Sequence, residues 1–186
     1  MDRLIFLGYR AKKPWSFENI FAPAELICSV GESLSEPPDG WVNRWDFNRG
    51  YCYDTPEDAL RTCPEESNEY KVFAYYILPV DLILGSAPEP VELDEIFSDS
   101  FAELPPEQTL PEGFIELGFD IAECNQGMLG YPYSPLIVNG FNGEFPVNRY
   151  GLIDKYEDAI VACETINHEM TEHGNHWVFH VFGCLD

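Results

Sequence analysis

One short pattern occurs twice in this chain and limits what it can fold into. Residues 41–63 read WVNRWDFNRGYCYDTPEDALRTC and residues 145–163 read FPVNRYGLIDKYEDAIVAC. Each gives Val-Asn-Arg-aromatic, then Glu-Asp-Ala-aliphatic, then Cys. Self-similarity of this kind is sought first, because missing it misassigns the whole fold. Further landmarks follow in the same order. LIFLGYRA at 4–11 parallels FIELGFDIA at 114–122, and AELIC at 24–28 parallels SPLIV at 134–138, both at an offset of 110. Val42 to Trp45 matches Val147 to Tyr150 at an offset of 105, and Glu57-Asp58-Ala59 with Cys63 recurs at 100. YKVFAYYIL at 70–78 parallels HWVFHVFGC at 176–184. The spacing drifts only where loops are expected.

Read as elements, the landmarks predict a β-β-β-α-β unit. LIFLGY and AELIC, with their counterparts, are apolar runs bounded by Gly, Pro and Ser, the pattern of strands. The Asn-Arg-aromatic segment is a third strand or an extended loop. In the second half Asp154 is expected to cap a helix over about 155–172, with Glu157 closing a capping box and Tyr156, Ala159, Cys163, Ile166 and Met170 on the buried face. In the first half Thr55 or Asp54 caps, Pro56 suits the first turn, Ala59, Leu60 and Cys63 face inward, and Pro64 ends the helix. The most apolar segments, VFAYYIL and WVFHVF, are expected at the centre of a sheet under the helix. The fold class is therefore α+β: two tandem copies, each a mostly antiparallel sheet covered by one helix. The first spans 1–84 and the second 114–186, joined by an acidic Pro-rich connector at 85–113.

The connector holds five prolines, eight acids and no base. Within it, VELDEIFSDSFAEL places Leu93, Ile96, Phe97 and Phe101 as a helical apolar stripe, while an extended acidic linker is the competing reading. Across the chain 33 acidic and 10 basic side chains leave a formal charge of −23. Such a field repels nucleic acid and anionic membranes and attracts cationic surfaces, raising encounter rates by roughly 10 to 10³-fold at low salt. The connector acids Glu92, Asp94, Glu95, Asp99 and Glu103 are the candidate partner-binding residues. The N-terminus lacks the charge order of a signal peptide, and six isolated cysteines form no disulfide framework. A cytoplasmic protein is expected, its cysteines acting as small core hydrophobes.

Motifs for chemistry are missing. No Gly-rich phosphate loop, G-x-S-x-G elbow or H-E-x-x-H occurs. His168, His173, His176 and His180 crowd near Cys163 and Cys184 without metal-site spacing, although His176, His180 and Cys184 share one face of a strand. Hydrogen-bonded structural histidines are expected, with no metal and no cofactor. Arg44 and Arg149 recur where cations are scarce. A planar guanidinium ties carboxylates together, so internal ion pairs with Asp58 and Asp158 are expected, and losing such an arginine costs on the order of 3 kcal/mol.

A compact, acidic chain without catalytic motifs is similar in type to bacterial immunity proteins, which neutralise a cognate toxin. That likeness implies a non-enzymatic inhibitor that grips a basic protein, such as a nuclease toxin, through protein–protein contact. Two other readings compete: a DNA mimic that blocks a nucleic-acid enzyme, and an enzyme acting on a cationic substrate.

Overall fold

The computed structural model describes residues 4–12, 15–16, 25–26, 53–61, 63, 70–78, 109–123, 135–138, 141, 143–170 and 176–184. Its centre is one antiparallel sheet ordered β1 (Ile5–Lys12), β4 (Lys71–Ile77), β6 (His176–Gly183) and β5 (Ile115–Glu123). Two short strands, β2 (Trp15–Ser16) and β3 (Glu25–Leu26), pair separately. The helices are α1 (Pro56–Arg61), α2 (Pro135–Val138) and α3 (Tyr156–Glu169).

The apolar runs explain the strand order. VFAYYI and WVFHVF are the two central strands, and Phe73, Ile77, Val178 and Val181 on them are buried to 1 % exposure or less. A strand apolar on both sides is unstable at an edge, where one row of backbone groups and much apolar surface meet water. This physical demand corrects the expectation of a separate sheet for each half: β4 and β6 pair with each other, Tyr75 opposite Val181 and Tyr76 opposite His180.

The two sides of this sheet carry the same register. Seven β1–β4 pairs, from Ile5↔Ile77 to Lys12↔Lys71, become the β5–β6 pairs Ile115↔Gly183 to Ala122↔Trp177 when 110 is added to β1 and 106 to β4. Both outer strands bulge at the same point, around Gly8 and Gly118. Both then make one isolated bridge outward, Tyr9 with Tyr53 and Phe119 with Ile153. Gly118 has φ +137, and a Cβ there would lie 2.7 Å from the Ile153 carbonyl oxygen and 2.9 Å from Leu152 Cβ. The bulge thus needs glycine for its conformation and for the approach of the 148–153 loop.

Both longer helices lie on one face. Ala59 of α1 clusters with Phe6, Tyr9, Ala74 and Tyr76, and Tyr156 of α3 meets the rings of Phe119 and His180. Tyr76 and His180 are cross-strand partners, so their side chains leave the same face. Thr55 caps α1 as expected: its Oγ1 accepts from Asp58 N at 3.1 Å and donates to Asp58 Oδ2 at 2.9 Å. The buried face of α3 holds Ala159, Ala162, Cys163 and Ile166, with Tyr156 and Met170 partly buried. Each large apolar side chain buried there contributes about 1.5–3 kcal/mol.

Two local expectations are corrected. SPLIV at 134–138 is not a strand; Pro135–Val138 is the short helix α2, seating Leu136 in the core. Asp154 does not cap α3. Lys155 occupies that position without a side-chain bond, and Asp154 is drawn to Asn148 instead. The expected connector helix and residues 85–108 lie outside the described residues.

Gly118→Ala is expected to destabilise the fold by about 3 kcal/mol, from strain at positive φ and the backbone collision. Urea unfolding of the two chains measures it.

Candidate functional site

The repeated Val-Asn-Arg-aromatic segment acts through its asparagine. Asn148 Nδ2 donates to Leu117 O at 2.8 Å and to Asp154 Oδ1 at 2.9 Å. Its Oδ1 accepts from Tyr150 N at 2.9 Å and Leu152 N at 3.3 Å. The Asn148 backbone binds Leu152 O and receives Gly151 N, with Gly151 at φ +73. One amide therefore holds the loop and satisfies an outward carbonyl on the edge strand β5. Asp120 does the same for the next open position, its Oδ1 accepting from Ile121 N at 2.9 Å. Edge groups covered this way are closed to strand addition.

The arginine and its expected partner are elsewhere. Arg149 is exposed, its guanidinium 4.6 Å from the centroid of the Tyr150 ring, and Asp158 is exposed on α3. Asp58 pairs with Arg61 at 3.0 Å, a half-exposed contact worth about 0.2–1 kcal/mol. Arg44 and the connector acids Glu92, Asp94, Glu95, Asp99 and Glu103 lie outside the described residues. The sequence held a signal for the asparagine in the Asn-x-x-Gly turn chemistry of 148–151. It also held a better frame. Asn48-Arg49 stands 100 residues before Asn148-Arg149, without a gap through Tyr53/Ile153, Asp54/Asp154 and Glu57/Glu157. In this frame the counterpart of Arg149 is Arg49, not Arg44.

The histidines separate into different settings. His176 is fully buried and clamped by Asn167, whose Oδ1 accepts from His176 N at 2.7 Å and lies 3.1 Å from Nδ1. Asn167 Nδ2 donates to His176 O at 2.9 Å, and Cys163 Sγ approaches the same carbonyl at 3.1 Å. Cysteine, histidine and asparagine thus meet, and the thiol and the amide both address the His176 backbone oxygen, which is a clamp between α3 and β6. His168 is exposed on α3, and His173 lies outside the described residues.

His180 sits apart, in a seam of aromatic rings that runs under both helices. Its Nδ1 lies 2.8 Å from Glu116 Oε1. Tyr156 stacks on the ring at 5.7 Å and Phe119 meets it edge-on at 4.8 Å. Across the β4–β6 pairing, Tyr76 contacts Phe6 at 5.1 Å and Phe182 at 5.2 Å, while Phe6 meets Tyr9 at 5.0 Å. Burial, with nearby Tyr9 adding to it, pushes the Tyr76 phenol up to about 12. Burial and then the Glu57 carboxylate raise that of Tyr9. At neutral pH both phenols keep their protons.

Outside this seam the helix-bearing side is acidic. Glu57 of α1 and Glu157, Asp158, Glu164 and Glu169 of α3 are exposed, with Asp154 just before α3. Where α1 has Arg61 beside Asp58, α3 has Val161, 60 % exposed, beside Asp158. Among the described residues, Arg61 of α1, Arg149 and Lys155 before α3, and His168 of α3 are the basic side chains exposed on these elements. Among the described residues no helix is long and apolar enough to cross a membrane. No family model, curated protein or solved structure matches the chain.

Asn148→Ala is expected to cost about 2–3 kcal/mol, since it leaves partly buried backbone groups unpaired, and denaturant midpoints will show it. A second outcome concerns alkaline pH. Unfolded tyrosine ionises near 10, whereas folded Tyr76 holds its proton to about 12. Its contribution is therefore complete below pH 10 and is lost as pH rises from 10 to 12. About 2–3 kcal/mol disappears over that window in the parent chain and a smaller amount in Tyr76→Phe. Unfolding curves at stepwise pH separate the two.

Proposed function

We propose that this chain is a non-catalytic binding protein of the immunity-protein type, which holds a basic partner, such as a nuclease toxin, by protein–protein contact. The observation that carries this reading is the placement of α1 and α3 on one side of a single sheet. Their exposed carboxylates combine into one acidic surface in a chain of net charge −23. Self-repulsion of that size costs stability, and a cationic partner relieves it. The carboxylates meet lysines and arginines, speeding encounter and selecting the partner, while apolar contact supplies holding strength. The connector acids Glu92, Asp94, Glu95, Asp99 and Glu103 are proposed as further contacts for that partner on the ground of their charge.

The architecture follows as a duplication. An ancestral module, read from the sequence as β-β-β-α-β and matched between the halves in two paired strands and one helix, was doubled, with residues 85–113 as the joint. The seven matched register pairs, the bulges at Gly8 and Gly118, and the paired outward bridges support this. A second reading, an enzyme acting on a cationic substrate, is favoured by one observation: Glu116 and His180 stand where the other half has Phe6 and Ala74. Residues present on one side alone are what chemistry would add to a doubled scaffold.

Co-purification of the tagged chain from its own cells at low and high salt tests the proposal. The expected result is a basic protein retained at low salt and released at high salt. A chain that instead carries a bound metabolite and no protein supports the enzyme reading. With the partner in hand, Glu157→Lys combined with Glu164→Lys is expected to slow association at least tenfold at low salt, measured by stopped flow.

A further inference from the structure

Two polar atoms in the aromatic seam are left without partners by the fold. Tyr76 is 6 % exposed and His180 8 %. Neither Tyr76 Oη nor His180 Nε2 makes a hydrogen bond to any of the described residues. An unsatisfied buried donor or acceptor is costly, and native proteins keep few. Here two stand on adjacent strands as cross-strand partners, projecting from the same face.

The fold does not demand them. In the shared register the place of His180 is taken by Ala74, and that of Tyr76 by Phe182, so the other positions of the same pattern are apolar. The tautomer is set locally. Glu116 Oε1 lies 2.8 Å from Nδ1 of His180 and can only accept as a carboxylate, so the tautomer that fits this contact has its hydrogen on Nδ1 and Nε2 as the acceptor. The Tyr76 phenol is protonated and offers a donor.

We infer that Tyr76 and His180 are the two polar contacts of a buried site for a single hydroxyl group, walled by Phe119, Tyr156 and Phe182. A hydroxyl donates to Nε2 and accepts from Oη through one oxygen, which satisfies both atoms. Water and a small alcohol share this chemistry, and experiment separates them.

The first test is the sign of a stability change. If the phenol oxygen is unsatisfied, Tyr76→Phe removes a penalty and raises Tm. If it holds a hydroxyl, Tyr76→Phe lowers Tm and reduces the folding equilibrium constant roughly tenfold. A rise in Tm overturns the inference. The second test is a double-mutant cycle with His180→Leu. Coupling between the substitutions is expected because both atoms hold the same guest, and strict additivity overturns the shared site. Nitrogen-15 spectra of the parent chain should show His180 protonated at Nδ1 with Nε2 accepting a hydrogen bond; the opposite tautomer refutes the arrangement. The source of the hydroxyl is read with ethanol as probe, after refolding from denaturant. An alcohol site gives a Tm increase in the parent chain that Tyr76→Phe lacks. A water site gives no difference between the chains and a single-atom density peak within hydrogen-bond reach of both atoms at high resolution. If neither appears, the inference fails.

Discussion

Phe73, Ala74, Tyr75 and Tyr76 of β4 lie opposite Gly183, Phe182, Val181 and His180 of β6, and this seam joins the two sides of the sheet. The outer strands β1 and β5 and the helices α1 and α3 are arranged around it. Gly183 lets the Phe73 ring settle against β6, because a Cβ there would come within 2.8 Å of that ring and 3.0 Å of Leu117. The outer strands attach to the seam in one register, and each helix covers its own pair of strands. Burying the most apolar segments against each other removes two edges that water would otherwise meet.

The outward side of β5 is closed by several kinds of group. On β5 the Asn148 amide, the Ile153 backbone and the Asp120 carboxylate each satisfy outward groups. A row of unrelated side-chain and backbone partners thus replaces a fifth strand. Under the proposed binding role, recognition would fall to side chains on the helices, since backbone groups covered in this way are closed to strand addition. The same face therefore separates two roles. Its rim is charged and wet, while its floor is aromatic and holds the few ionisable groups that the register does not require.

Much of this was legible in the residues. The apolar runs identified both central strands, Thr55 and Pro56 marked the start of α1, and the spacing of Ala159, Cys163 and Ile166 fixed the inner face of α3. Four features were not. SPLIV is too short for periodicity to distinguish helix from strand, and its location over β5 decides the matter. Asp154 fits the pattern of a cap, but a nearer donor, Asn148, takes its carboxylate. Arg149 drew attention by its charge, while the neutral residue before it carries the structure; charge is conspicuous in an acidic chain, whereas an amide that bonds four groups leaves no trace in composition. The Glu116–His180 contact joins positions 64 apart, and no local pattern announces a pairing made by tertiary structure.

Strand order also sets a schedule for synthesis. β4 ends at Ile77 and its inner neighbour β6 begins at His176, about a hundred residues later. At about 5–20 residues per second, the β1–β4 pair waits on the order of 5–20 s for β6 to be made. The nascent chain is then most open to aggregation and to chaperones. Slowing the ribosome between these strands would lengthen that exposure without altering any contact of the finished molecule.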